Sequence, residues 1–150
     1  MERDNLLSMK FTDPKNTRTI LIVDDDITLQ EHWVSIFEEL PMSFDIKWAI
    51  SVEQFEEEVR RGVKYDFIIS DIFLSGSKNG LDLWREYGPV TEYFLLTSDI
   101  SLRKYDELLA RDRGLRPMLL SKPLEKRKCV ETIEYLLHYS KKNAGLRIEA

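Results

Sequence analysis

Cysteine is nearly missing from this chain of 150 residues, where Cys129 stands alone. That excludes a disulfide or a thiolate metal cluster within the chain, and it fits a reducing, cytoplasmic setting. Basic charge is also short: 22 Lys and Arg face 27 Asp and Glu, a net charge of −5. Non-specific nucleic-acid binding needs a basic footprint, so nucleic acid is not an expected partner. No apolar run approaches the roughly 20 residues that span a bilayer, and residues 1–18 lack a continuous hydrophobic segment, so neither a membrane span nor a signal peptide is expected. Repeats and low-complexity stretches are absent. The two histidines, His32 and His138, are too far apart to suggest a metal site.

What is present reads as an ordinary globular domain, 43% hydrophobic and 33% charged. The length fits one domain with a proper core. Residues 1–18 read as a polar extension, 19–139 as the domain and 140–150 as a polar tail.

Apolar runs and helical spacings alternate along the chain. Thr19-Ile-Leu-Ile-Val23 reads as a buried strand that runs into Asp24-Asp25-Asp26. Thr28 with Glu31 suggests a capping box for a helix presenting Trp33, Ile36, Phe37 and Leu40, which Pro41 ends. Residues 44–50 alternate like a half-exposed edge strand. Ser51 with Gln54 suggests a second capping box, Ile50 with Phe55 a hydrophobic staple, and Gly62 a stop. Tyr65-Asp-Phe-Ile-Ile-Ser-Asp71 reads as a strand that delivers a carboxylate to its tip. A helix on Leu81, Leu83, Trp84 and Tyr87 follows, then a strand ending in Thr97-Ser98. A helix on Leu102, Tyr105, Leu108 and Leu109, with Gly114 as its cap, leads to a strand over residues 117–121. Lys122-Pro123 ends that strand, and Val130, Ile133, Leu136 and Leu137 mark the last helix. Five strands alternating with five helices predict a parallel α/β sheet covered on both faces.

Ligands of such sheets gather beyond the carboxyl ends of the strands. Asp24, Asp25, Asp71, Thr97 and Lys122 all fall there. Converging carboxylates repel unless a cation joins them, and Mg²⁺, a hard ion that prefers oxygen, suits them. Asp71 is then placed to attack phosphorus, Asp24 and Asp25 to hold the metal, and Thr97 and Lys122 to meet a phosphoryl group. The plain alternative stands beside this. Asp at a strand end is often only a turn residue or helix N-cap, as Asp26 can be, and Lys before Pro is usually a solvated surface residue.

Taken together, Ile-Leu-Ile-Val-Asp24-Asp25, Ile-Ile-Ser-Asp71, Leu-Leu-Thr97-Ser98 and Ser-Lys122-Pro123 resemble the receiver domain of bacterial two-component response regulators, over residues 19–139. The resemblance implies a flavodoxin-like sheet of order 2-1-3-4-5 and phosphorylation of Asp71. It implies Mg²⁺ held by Asp24, Asp25, Asp71 and the main-chain carbonyl of Phe73. Thr97 becomes the switch hydroxyl, Lys122 the cation paired with the phosphoryl group, and Lys122–Pro123 a cis peptide. The implied partners are a sensor histidine kinase or histidine phosphotransfer protein and a downstream protein target, with a monomer or weak homodimer as the state. Catalysis would be limited to the chain's own phosphorylation and dephosphorylation. With residues 140–150 too few for an output domain, a stand-alone receiver is the expectation.

Four departures from the family pattern qualify it. Ser75 stands where Pro is frequent, implying a less rigid loop, and the stretch 71–80 is one residue longer than usual. Leu119 replaces a common switch aromatic, and Phe73 replaces a frequent polar residue; its ring would shield an acyl phosphate from water, with Asp99 acting in the opposite sense. Two other readings remain. Asp24-Asp-Asp26-Ile-Thr28 also fits the Asp-x-Asp-x-Thr opening of haloacid-dehalogenase-type phosphatases, although no acidic pair lies on a strand after Lys122 and Asp71 would have no role. A receiver-like interaction module that is not phosphorylated is the other.

Overall fold

The computed structural model describes residues 17–114 and 116–138. The two tails therefore lie almost wholly outside the described residues. Five strands form one parallel sheet: β1 (Arg18–Val23), β2 (Phe44–Ala49), β3 (Phe67–Asp71), β4 (Tyr93–Ser98) and β5 (Met118–Ser121). Their order is β2-β1-β3-β4-β5, as expected. Helices α1 (Gln30–Glu38), α2 (Val52–Arg60), α3 (Gly80–Tyr87), α4 (Leu102–Leu108) and α5 (Lys126–His138) alternate with them. This is the flavodoxin-like arrangement.

The central strands are continuous apolar runs because both of their faces are covered. Side chains alternate between faces along a strand. Ile20, Ile22, Phe67, Ile69, Tyr93 and Leu95 join Trp33, Ile36 and Phe37 of α1 and Cys129, Ile133 and Leu136 of α5. Leu21, Val23, Ile68, Phe94 and Leu96 face the other way, against Val52 and Phe55 of α2, Leu81 and Leu83 of α3, and Tyr105 of α4. Edge strand β2 exposes Asp45 and Lys47 and tucks Phe44, Ile46 and Trp48 against the first cluster.

Helix starts differ from expectation in instructive ways. Thr28 and Glu31 form no capping box, because the Asp26 carboxylate accepts from both the Thr28 N–H and hydroxyl, fixing a 3₁₀ turn over Ile27–Leu29 ahead of α1. Ser51 does cap α2, accepting from the Gln54 N–H at 3.1 Å, but the Gln54 side chain reaches back to the N–H of Ile50 rather than of Ser51. Phe55 is buried against the rings of Tyr65 and Tyr87, at 5.3 and 4.8 Å between centroids, while its expected staple partner Ile50 stays half-exposed. A full capping box instead starts α3: Asn79 accepts from the Asp82 N–H at 3.0 Å and Asp82 from the Asn79 N–H at 2.8 Å. Gly62, at φ +88°, ends α2 as expected. Gly114 also has positive φ but lies well past Leu108, where α4 stops, so it shapes a later turn rather than capping the helix.

Phe55 sits where α2 meets two other aromatic rings, so Phe55→Ala should cost about 3–5 kcal/mol through lost burial and a residual cavity. Val90→Ala, at a side chain 78% exposed, should change stability by no more than about 0.5 kcal/mol. Urea unfolding of the two variants checks both.

Candidate functional site

Parallel topology points every strand the same way, so five carboxyl ends share one edge. Asp24 and Asp25 follow β1, Asp71 closes β3, Thr97 lies in β4 and Lys122 follows β5. Register pairs Asp71 with Thr97 across β3 and β4, which puts their side chains on the same face of the sheet. Backbone bonds complete the edge: the Ile72 N–H donates to the Thr97 carbonyl at 3.0 Å and the Lys122 N–H to the Ser98 carbonyl at 2.8 Å.

Lys122 joins the charges. Its Nζ donates to Asp24 Oδ2 at 2.9 Å and to Asp71 Oδ2 at 3.3 Å. Asp24 is only 2% exposed, and its Oδ1 accepts from the Asp26 N–H at 2.9 Å. Its carbonyl accepts from the indole N–H of Trp48 at 2.9 Å. Asp25 is exposed, and one carboxylate oxygen from each of Asp24, Asp25 and Asp71 lies within 4.8 Å of the others. Burial raises the pKa of Asp71 to about 6; Lys122 opposes the rise, and Asp24 and then Asp25 add to it. Burial works against the Lys122 charge, but Asp24 and Asp71 outweigh it and raise that pKa. Three carboxylates against one ammonium leave negative charge in a partly buried place. Their hard oxygen donors fit a divalent cation such as Mg²⁺, which would bring the missing positive charge.

The other expected residues lie around this centre. Lys122–Pro123 is a cis peptide, as expected. Phe73 is 51% exposed on the loop that follows Asp71. Asp99 is exposed just past β4. Leu119 packs, partly buried, against the cluster of α2, α3 and α4. Asp26 belongs to the turn ahead of α1.

Three contacts near the site were not visible in sequence. Trp48 closes over the backbone of Asp24 from the edge strand. The Nε2–H of His32 donates to the Leu124 carbonyl at 2.7 Å, tying α1 to the segment just after Lys122–Pro123; a carbonyl only accepts, so that nitrogen carries the proton. Tyr105 donates to the Pro117 carbonyl at 2.6 Å, joining α4 to the strand that carries Leu119. The Asn79-x-x-Asp82 spacing was the one signal open to sequence reading, as a capping pattern.

No family model matches the chain, and no curated protein matches it. Solved structures do, in 252 chains. A two-component response regulator from Clostridium difficile is 23% identical with a TM-score of 0.63, over 81% of this chain and 96% of that one. A signal receiver domain of an HD domain-containing protein from Pseudomonas fluorescens is 18% identical, with a TM-score of 0.65, over 83% and 89%. The chemotaxis response regulator CheY4 of Vibrio cholerae is 18% identical, with a TM-score of 0.61, over 80% and 98%. The chain has the receiver-domain fold. The acidic edge of Asp24, Asp25 and Asp71, at the carboxyl ends of β1 and β3, is the candidate functional site. Among the described residues no helix is long and apolar enough to cross a membrane.

The raised pKa of Asp71 has a defined sign. A carboxyl whose folded pKa, about 6, lies above its ordinary value of 3.8 favours folding most at low pH. That contribution is lost as pH rises through about 6. Without divalent cations, Asp71→Asn should be more stable than the wild type at about pH 7.5 by on the order of 2 kcal/mol. The gap should narrow as pH falls and close only below the ordinary value of 3.8, and millimolar Mg²⁺ should stabilise the wild type more than the variant. Equal urea midpoints at the higher pH in chelator would contradict this account.

Proposed function

We propose that this chain is a two-component receiver that accepts a phosphoryl group on Asp71 with the help of Mg²⁺. The donor is a sensor histidine kinase or a histidine phosphotransfer protein, and the modified chain then changes the protein it docks on. The observation that carries this reading is the Lys122 ammonium held between Asp24 and Asp71, with Asp25 alongside and Thr97 in register.

The chemistry follows from those groups. A carboxylate oxygen of Asp71 attacks phosphorus, the bond from phosphorus to the donor's imidazole nitrogen breaks, and the imidazole leaves with the bonding pair. The new bond makes an acyl phosphate on Asp71. Bound Mg²⁺ would neutralise phosphoryl oxygens; Asp24, Asp25, Asp71 and the Phe73 carbonyl would hold it. Lys122 supplies a cation that can exchange its Asp71 contact for a phosphoryl oxygen, and the Thr97 hydroxyl is a donor for a second one. Above about pH 6 Asp71 is ionised and nucleophilic. In this role the chain turns over no separate substrate.

The phosphatase reading finds less support. Asp24, its required nucleophile, is 2% exposed and engaged at both oxygens, and Asp26, its acid, is committed to the turn at Thr28. The decisive experiment is exposure to a small-molecule phosphodonor with Mg²⁺, followed by intact mass. One added phosphoryl group in the wild type and none in Asp71→Asn is expected; no gain in the wild type sinks the proposal in favour of an unphosphorylated module. Phe73 lies at the rim with its ring half in solvent, where it can shield the acyl phosphate. Phe73→Asn should then lose the phosphoryl group roughly fivefold faster, about 1 kcal/mol off the barrier; an unchanged half-life would refute the shielding role.

A further inference from the structure

The loop after Asp71 leaves and re-enters the fold at one point. The Gly80 N–H donates to the Ile72 carbonyl at 2.8 Å. A Cβ on Gly80 would lie 2.1 Å from the Asp71 carbonyl oxygen, so only glycine lets α3 start against the phosphoacceptor strand. Between these ends residues 73–78 belong to no strand or helix, and Ser75 offers no ring constraint.

Helix α2 supplies the anchor instead. One oxygen of Glu53, Oε2, accepts from the Ser77 hydroxyl at 2.7 Å and the Ser77 N–H at 3.2 Å. The same carboxylate lies beneath Gly76, where φ is +108° and a Cβ would meet Glu53 Oε1 at 2.7 Å. One turn along α2, Glu56 accepts from Lys78 Nζ at 2.8 Å. Leu74 packs into the cluster shared by α2, α3 and α4. Phe73, Leu74 and Ser75 are then all that separates the Ile72 bond to β4 from the Gly76–Ser77 anchor. So short a span leaves the Phe73 carbonyl little freedom once both ends are tied.

We propose that Glu53 is a positioning residue: its bonds to Ser77 tie down the short loop that carries the Phe73 carbonyl and so set the affinity of the acidic edge for Mg²⁺. The inference rests on the receiver reading and adds to it a link from the phosphorylation site to α2. Coupling of this kind is reciprocal. Whatever a partner does to the first turn of α2 is felt at Asp71.

The test compares wild type, Glu53→Ala and Glu53→Gln by Mg²⁺ titration followed by NMR amide shifts, and by hydrogen exchange at Ser77. Both variants remove the charge, but Gln keeps an acceptor oxygen for Ser77. Glu53→Ala should weaken Mg²⁺ binding about tenfold, the low end for loss of an outer-sphere support, and speed exchange at Ser77. Glu53→Gln should stay within about twofold of the wild type, since the tether survives. Unchanged Mg²⁺ affinity or unchanged Ser77 exchange in the Ala variant overturns the inference alone. Equal losses in Gln and Ala overturn it as well, by assigning the effect to charge. A wild type with no Mg²⁺ response overturns the receiver reading and this inference with it.

Discussion

A single ammonium group between two carboxylates organises the working edge of this protein. Lys122 Nζ reaches both Asp24 and Asp71, and through them it fastens the end of β5 to the ends of β1 and β3. A buried carboxylate such as Asp24 is costly unless a cation and hydrogen-bond donors meet it. Here Lys122 takes one oxygen and the Asp26 N–H the other. Asp71 is the member left under-compensated, and its raised pKa records that. The group with the least settled charge is the one proposed to react. Perturbed groups in functional clefts commonly have this character.

The sheet makes that meeting possible. Asp24, Asp71 and Lys122 are scattered over 98 positions of the chain, and only parallel strands bring such residues to one edge without a long search through loops. The same topology demands helices on both faces, and the strict alternation of Ile20, Leu21, Ile22 and Val23 between two clusters is the result. Helix α1 supports the Lys122 side through the His32 bond to the Leu124 carbonyl, and α2 supports the Asp71 side through the bonds of Glu53 to Ser77. Leu119 packs, partly buried, against the cluster of α2, α3 and α4, and Tyr105 of α4 donates to the Pro117 carbonyl just ahead of β5. The loop beyond Asp71 is closed by the Gly80 N–H bond to the Ile72 carbonyl and tied to α2 through Glu53 and Glu56.

Much of this was legible in the sequence because the relevant signals are local. Apolar runs that stop at Asp24, Asp71, Thr97 and Lys122 specify strand ends, and strand ends in a parallel sheet specify the site. Trp33, Ile36 and Phe37 announced the buried face of α1, and the cis peptide followed from the family resemblance of Ser-Lys122-Pro123. Capping was read less well. Thr28 with Glu31 satisfies the local rule for a capping box, but the Asp26 carboxylate caps the 3₁₀ turn ahead of α1, and α1 itself starts without a side-chain cap.

The sequence by itself determined the order of strands and helices, the two-sided core and the set of groups at the carboxyl edge, since these depend on periodicity and on parallel topology. Only the tertiary structure decided how those groups share charge. That Lys122 bridges Asp24 and Asp71, that Trp48 closes on the Asp24 backbone, and that Glu53 holds the loop beside Phe73 all require residues distant in sequence to meet at hydrogen-bond distance. No local pattern encodes such distances; they emerge when the helices settle on the sheet.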